Sequence, residues 1–142
     1  MASAPKMKIV KPESLAAHLE ERAMKEWRIH LHEGYVIEFQ DRLANTKTVV
    51  KFATTIPGIA QLHNLAMRIS QPNCPETLYY VNDDDVWGLT TQQVLNASQD
   101  VTDHCQRLAR FLRSLVTKIR AEHFATEAAY EAAARWPVQF PR

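Results

Sequence analysis

The sequence predicts a predominantly helical α+β domain with one long C-terminal helix and small antiparallel hairpins. The first observation behind this is a heptad-like seam. From Val94, residues Ser98, Val101, Cys105, Leu108, Leu112, Leu115 and Ile119 recur at alternating spacings of four and three, with no glycine or proline between them. The second is a pair of β-rich runs, Tyr35 to Gln40 and Thr48 to Ala53, joined by a polar stretch. The third is two short apolar runs, Leu78 to Val81 and Val86 to Leu89, separated by Asn82-Asp83-Asp84-Asp85, a turn composition.

In chain order, residues 1–11 carry small residues, lysines and Pro5 without periodicity, and read as a flexible arm. Pro12 suits a first helical turn, and Leu15, Leu19, Ala23, Trp27 and Leu31 recur every four residues, giving a helix near 12–32 with one apolar stripe. Gly34 sits where a left-handed cap would end it. The two β-rich runs then form an antiparallel hairpin, with Asp41 to Lys47 as its loop, expected against the first helix. Thr54 or Thr55 caps a short helix with Pro57 in its first turn and Ile59, Leu62, Leu65, Ala66 and Ile69 on its apolar face, ending by Gln71. Pro72 and Pro75 make the next stretch a loop, and the second hairpin follows.

Thr90 and Gln93 form a capping-box pattern at the head of the long helix, expected over 90–122. Leu95, Ala97, Ala109, Phe111 and Val116 broaden its stripe, which favours a helix covering its own domain over one devoted to an oligomer contact. A last helix near 127–135, capped by Thr126, ends at Trp136-Pro137. The single domain is thus expected over 12–137, followed by a flexible tail at 138–142, with Trp27, Leu108, Leu112, Leu115 and Ile119 buried.

With 142 residues, 46% of them apolar, the chain suffices for one core and is too short for two independent enzyme domains. Seventeen basic against sixteen acidic side chains give no electrostatic case for a nucleic-acid or membrane partner. No apolar run approaches a membrane span, and the N-terminal residues lack the apolar core of a secretory signal, so a soluble, non-exported protein is expected. Cys74 and Cys105 are too few for a disulfide framework, which suits a reducing compartment.

Candidate chemistry is sparse. His30 and His32, with Glu26, Glu33 and His18 nearby, have metal-ligating side chains, but residues two apart in a helix point roughly 200° from each other and do not converge. Asp83-Asp84-Asp85 lacks the alternate spacing, internal glycine and closing glutamate of a calcium loop. Cys105 falls on the apolar seam and the adjacent His104 points elsewhere, so the two form no nucleophile–base pair. Ser98 has no nucleophile elbow around it, and three glycines exclude phosphate loops. Arg107, Arg110, Arg113, Lys118 and Arg120 read as a solvated face near a helix C-terminus, where cations complement the dipole. No catalytic, cofactor-binding or metal residue is therefore assigned.

One resemblance adds to this. Arg-Ile-His-Leu-His-Glu-Gly-Tyr-Val-Ile-Glu-Phe (28–39), Lys-Phe-Ala-Thr-Thr (51–55), Tyr-Val-Asn-Asp-Asp-Asp-Val-Trp-Gly-Leu-Thr-Thr-Gln-Gln-Val-Leu (80–95), His104 and Trp136-Pro137 follow one another in an order that resembles an uncharacterised tailed-bacteriophage domain. That domain is found alone or at the C-terminus of tail-fibre and tail-fibre-assembly proteins. The similarity spans about residues 20–137. It departs at Tyr79 and Tyr80, where such domains carry a tryptophan, and at the three aspartates, where they carry a glycine. The family has no assigned catalytic residues. The resemblance implies a non-enzymatic tail component or assembly chaperone, located in the virion tail or in the host cytoplasm during assembly. Its expected partners are tail-fibre or baseplate proteins or further copies of itself. A small phage- or plasmid-encoded inhibitor of a host complex is the alternative. Aromatic and arginine anchors dominate protein interfaces, which makes Tyr35, Phe39, Trp87, Arg110, Arg113 and Trp136 the candidate contact residues.

Folding without a metal has a direct check. A chelator should leave the thermal transition unmoved, because a metal bound only by the folded state raises the midpoint and its removal lowers it. Stoichiometric zinc by elemental analysis would overturn this.

Overall fold

The computed structural model describes residues 12–41 and 46–139; the expected N-terminal arm, the tip of the first hairpin loop and residues 140–142 lie outside them. Eight elements follow one another: α1 (Pro12–Glu33), β1 (Tyr35–Asp41), β2 (Thr46–Phe52), α2 (Ile56–Arg68), β3 (Thr77–Asn82), β4 (Asp85–Thr90), α3 (Thr91–Arg120) and α4 (Glu127–Ala133). They build the expected α+β domain, in which β1 pairs with β2 and β3 with β4, each antiparallel, as two separate two-stranded sheets.

Each element has a local cause. Gly34, at φ 77°, ends α1 in the left-handed region, and a Cβ there would come within 2.8 Å of the Phe52 carbonyl oxygen. The chain therefore leaves α1 directly into β1. Thr55 is the N-cap of α2, but its side chain makes no capping bond. Its neighbour Thr54 is buried, and its hydroxyl donates to the Leu31 carbonyl near the end of α1. Gly58 brings the first turn of α2 onto Ala53, since a Cβ at that position would sit 2.4 Å from the Ala53 Cβ. The capping box of α3 is complete: the Thr90 hydroxyl accepts from the Gln93 N–H, and the Gln93 side chain accepts from the Thr90 N–H. The same helix ends in a Schellman arrangement, with Glu122 N–H donating to Ile119, His123 N–H donating to Lys118 and Glu122 itself left-handed at φ 57°.

α3 is the spine. Its N-terminal half carries Val94, Ala97 and Val101 into a core with Val50, Phe52, Leu62, Leu78, Tyr80 and Leu89, drawn from both hairpins and α2. Its C-terminal half carries Leu115 and Ile119 into a second cluster with Leu19, Ala23 and Tyr130, drawn from α1 and α4. Leu108, fully buried, stands between them.

Four expectations need correction. The first hairpin packs on α3 rather than principally on α1, because the α1 stripe of Leu15, Leu19 and Ala23 is turned to the C-terminal half of α3. Its strands pair as far as Asp41 and Thr46, which shortens the expected seven-residue loop. The buried line of α3 runs through Ala97 and His104, while Ser98 and Cys105 flank it half-buried. Ala97 lets the sheets approach closely, and the His104 ring packs 4.8 Å from that of Tyr35. Finally, Trp27 and Leu112 are half-buried.

Leu108→Ala should cost about 2–5 kcal/mol by lost transfer energy plus a cavity, and Leu112→Ala distinctly less, because that site already meets solvent. Denaturant titration of the two variants checks the order.

Candidate protein-binding surface

α2 and the second hairpin lie side by side over α3, and their outer faces form one continuous surface. In β3, Leu78 and Tyr80 point inward, so the strand alternation turns Tyr79 and Val81 outward. Val81 lies opposite Val86 of β4, and the Tyr79 ring crosses towards Gly88, where a Cβ would lie 3.5 Å from its Cε1. These three large apolar side chains remain 64%, 46% and 61% exposed for Tyr79, Val81 and Val86. On α2, Ile56 is 86% and Met67 55% exposed. Between the helix and β3 runs a groove of about 670 Å³, lined among others by Pro57, Gln61, Asn64, Met67, Arg68 and Tyr79. Tyr79 and Met67 line this groove and the Val81–Val86 pair adjoins Tyr79 on the sheet face; exposed apolar groups gathered in this way are what contact surfaces for other proteins present.

The residues expected as anchors are placed differently. Tyr35 packs half-buried on His104, Phe39 meets Phe52 edge-on at 6.4 Å, and Trp87 stacks 6.3 Å from Tyr80 on the inner side of its hairpin. Trp136 lies half-buried between Phe111 at 4.9 Å and His30 at 5.3 Å. Arg110 and Arg113 are exposed on α3. The six are spread over several elements and do not form one patch with Tyr79, Val81 and Val86. Residues 78–81, Leu-Tyr-Tyr-Val, are apolar on both faces, and that was the available signal that one face of this strand would be left outside.

Electrostatics elsewhere serve packing. Tyr130 is buried, burial pushes its hydroxyl well above the usual range, and that hydroxyl donates to Glu26 Oε1 at 2.7 Å. Arg22 lies over the Tyr130 ring and donates to Glu127 and Glu131 at 2.8 Å each, tying α1 to α4. Burial pushes the Cys105 thiol up, away from nucleophilic character. Among the described residues, no three histidine, cysteine, aspartate or glutamate side chains converge on a common point. His30 is half-buried against Trp136 while His32 faces solvent, and Asp83, Asp84 and Asp85 are exposed at the hairpin turn. No helix is long and apolar enough to cross a membrane among the described residues. No family model, curated protein or solved structure matches this chain.

His104 supplies a pH prediction. Burial, then the charge of Arg107 and the nearby His30, hold its imidazole below the usual value of 6.5. The folded state resists a proton that the unfolded chain accepts, so this contribution is complete above about pH 6.5 and is lost as pH falls towards the depressed folded value. Glu20 and Glu127, held low chiefly by Arg120 and by His18 with Arg22, titrate below 4.5 and act only in stronger acid. Melting temperatures should therefore decline on the acid side of pH 6.5, and His104→Gln should flatten that limb while lowering stability throughout.

Proposed function

We propose that this chain is a non-enzymatic protein-binding domain of a tailed-bacteriophage tail, acting as a tail-fibre or baseplate component or as a chaperone of fibre assembly. The observation that carries the binding reading is the uncovered outer face of the second hairpin, where Tyr79, Val81 and Val86 stand exposed beside the α2 groove. Three large apolar side chains grouped on one sheet face are unfavourable in water, and burying them against a partner recovers about 25 cal/mol for each Å² of apolar surface removed. The tail setting is supported by the ordered resemblance through residues 28–39, 51–55 and 80–95. A specific contact centred here should bury at least about 1,000 Å² in total, more than the hairpin face alone offers, so α2 takes part as well.

Copurification with the products of neighbouring genes tests this. The intact protein should capture a fibre or baseplate subunit or form a defined oligomer, and the double variant Val81→Asp/Val86→Asp should lose the complex while keeping its fold by circular dichroism. A protein that stays monomeric, binds no tail subunit and is missing from purified particles overturns the tail reading. Copurification with a host complex instead would favour the inhibitor alternative.

A further inference from the structure

We propose that β3 accepts one extended segment of the partner protein along the edge facing α2, with Gln61 already standing in for a peptide group of that segment and Arg68 receiving a carboxylate from it. This rests on the protein-binding reading above and specifies its mode of contact.

The register of the second hairpin carries the argument. Strands β3 and β4 close through the two-residue turn Asp83-Asp84, so Asn82 and Asp85 form the first hydrogen-bonded pair and the pairs alternate from there. The backbone groups of Val81 and Tyr79 therefore point away from β4. At Val81 both are taken by a single side chain: its N–H donates to Gln61 Oε1 and its C=O accepts from Gln61 Nε2, each at 2.9 Å. A carboxamide that offers one acceptor and one donor to the same residue reproduces what an adjoining strand offers. Two residues back along the strand, the register turns the corresponding groups of Tyr79 to the same edge, and Tyr79 is one of the residues that line the groove.

The groove fits an extended chain. Val81 is held by Gln61, and Tyr79 lines the groove together with α2 residues on both sides of Gln61, from Pro57 to Arg68. At about 1.5 Å per residue in the helix and 3.3 Å in the strand, the two residues from Val81 to Tyr79 correspond to about one helical turn of the α2 wall. The helical wall there mixes apolar Leu65 and Met67 with the amides of Asn64 and Gln71, which suits alternate side chains of an added strand. An incoming helix would desolvate the Tyr79 N–H and C=O without pairing them, an unfavourable outcome that a strand avoids. Among the described residues, Arg68 is the one charged side chain lining the groove, is exposed, and makes no ion pair. The segment should therefore carry a carboxylate, either on an acidic side chain or at its C-terminus.

The test is selection of short linear peptides from a random display library on the intact protein, followed by titration of labelled peptides. Selected peptides should be acidic, and comparing the C-terminal acid with the amide separates the two carboxylate sources. Tyr79→Pro removes an N–H that faces away from β4 and leaves the ladder intact, whereas Tyr79→Val keeps it. Proline should weaken binding about tenfold relative to valine, the loss of one desolvated hydrogen bond, and Arg68→Glu should weaken it about as much. Should the proline variant fail to fold, slowed amide exchange at Tyr79 on peptide binding, together with Arg68→Glu, decides the matter. Equal affinities for the proline and valine variants, peptides bound as helices, or an amide at Tyr79 that exchanges unchanged would overturn strand addition. If tail subunits still bind and are lost with Val81→Asp/Val86→Asp, only the mode of contact fails; if neither peptides nor tail subunits bind, both readings fall.

Discussion

Everything in this molecule hangs on one unbroken helix that must satisfy two different cores along a single face. α3 spans thirty residues, Thr91–Arg120, roughly 45 Å at about 1.5 Å per residue. Neither β hairpin would be stable alone, since two strands bury too little to hold themselves. Leu19 and Ala23 of α1 are covered by Leu115 and Ile119 of α3 together with Tyr130 of the short α4. Both halves of the fold therefore depend on the same seam, and a break in α3 would separate the sheet-bearing cluster from the α1–α4 cluster. The complete capping box at its start and the Schellman bonds at its end secure the two termini where orphaned backbone groups would otherwise fray.

Two-stranded sheets expose two edges each, and the molecule manages them with side chains rather than further strands. Gln61 reaches from α2 to both backbone groups of Val81, and Gln139 does the same from the C-terminal segment to Val36 of β1. The hairpins are also tied to one another: Asn82 Nδ2 donates to the Lys51 carbonyl, and the Ala53 N–H donates to the Tyr80 hydroxyl. An edge capped at a single residue by a carboxamide is protected against indiscriminate pairing yet keeps its neighbouring groups accessible. In the proposal above, it is this arrangement that makes the edge of β3 selective instead of merely closed.

Much of the architecture was legible in the residues. Apolar periodicity located α1, α2 and α3, Gly34 marked the turn out of α1, and Thr90 with Gln93 marked the start of α3, because these signals are local and their causes lie within one turn of chain. What failed was non-local. A face of α3 built from Val94, Ala97, Val101 and His104 differs by one position from one built on Ser98 and Cys105, and only the partner surface decides between them. Tyr35 supplies that surface at His104, and no local pattern announces it. The interface candidates meet a related ambiguity. Aromatic residues are the commonest anchors of interfaces and also the largest contributors to cores, so Tyr35, Phe39, Trp87 and Trp136 could not be assigned by type. In 78–81 the inside could not be told from the outside, since Leu78 and Tyr80 match Tyr79 and Val81 in apolarity. Gln61 and Gln139 carry no sequence signal at all, because a glutamine is ordinary on any surface.

The junction between the two clusters is the least economical part of the fold, and its composition shows what holds it. Among the described residues, Trp27 Nε1, His30 Nδ1 and Trp136 Nε1 are buried without a hydrogen-bond partner, and Glu33 Oε1, 3.4 Å from His30 Nδ1, lies off the line of a bond. Unsatisfied buried polar atoms destabilise, by about 1–3 kcal/mol each when fully desolvated. The compensation is aromatic area: the Trp136 ring packs on both Phe111 of α3 and His30 of α1, while three residues further on Gln139 closes on β1. The segment after α4 thus acts as a strap across three elements that belong to different clusters. Its tryptophan contributes through its ring faces and not its N–H, so a phenylalanine at 136 would keep most of the contact and remove one unsatisfied donor. The same strap carries the bonds that complete the β1 edge, from the Gln139 side chain to the backbone of Val36.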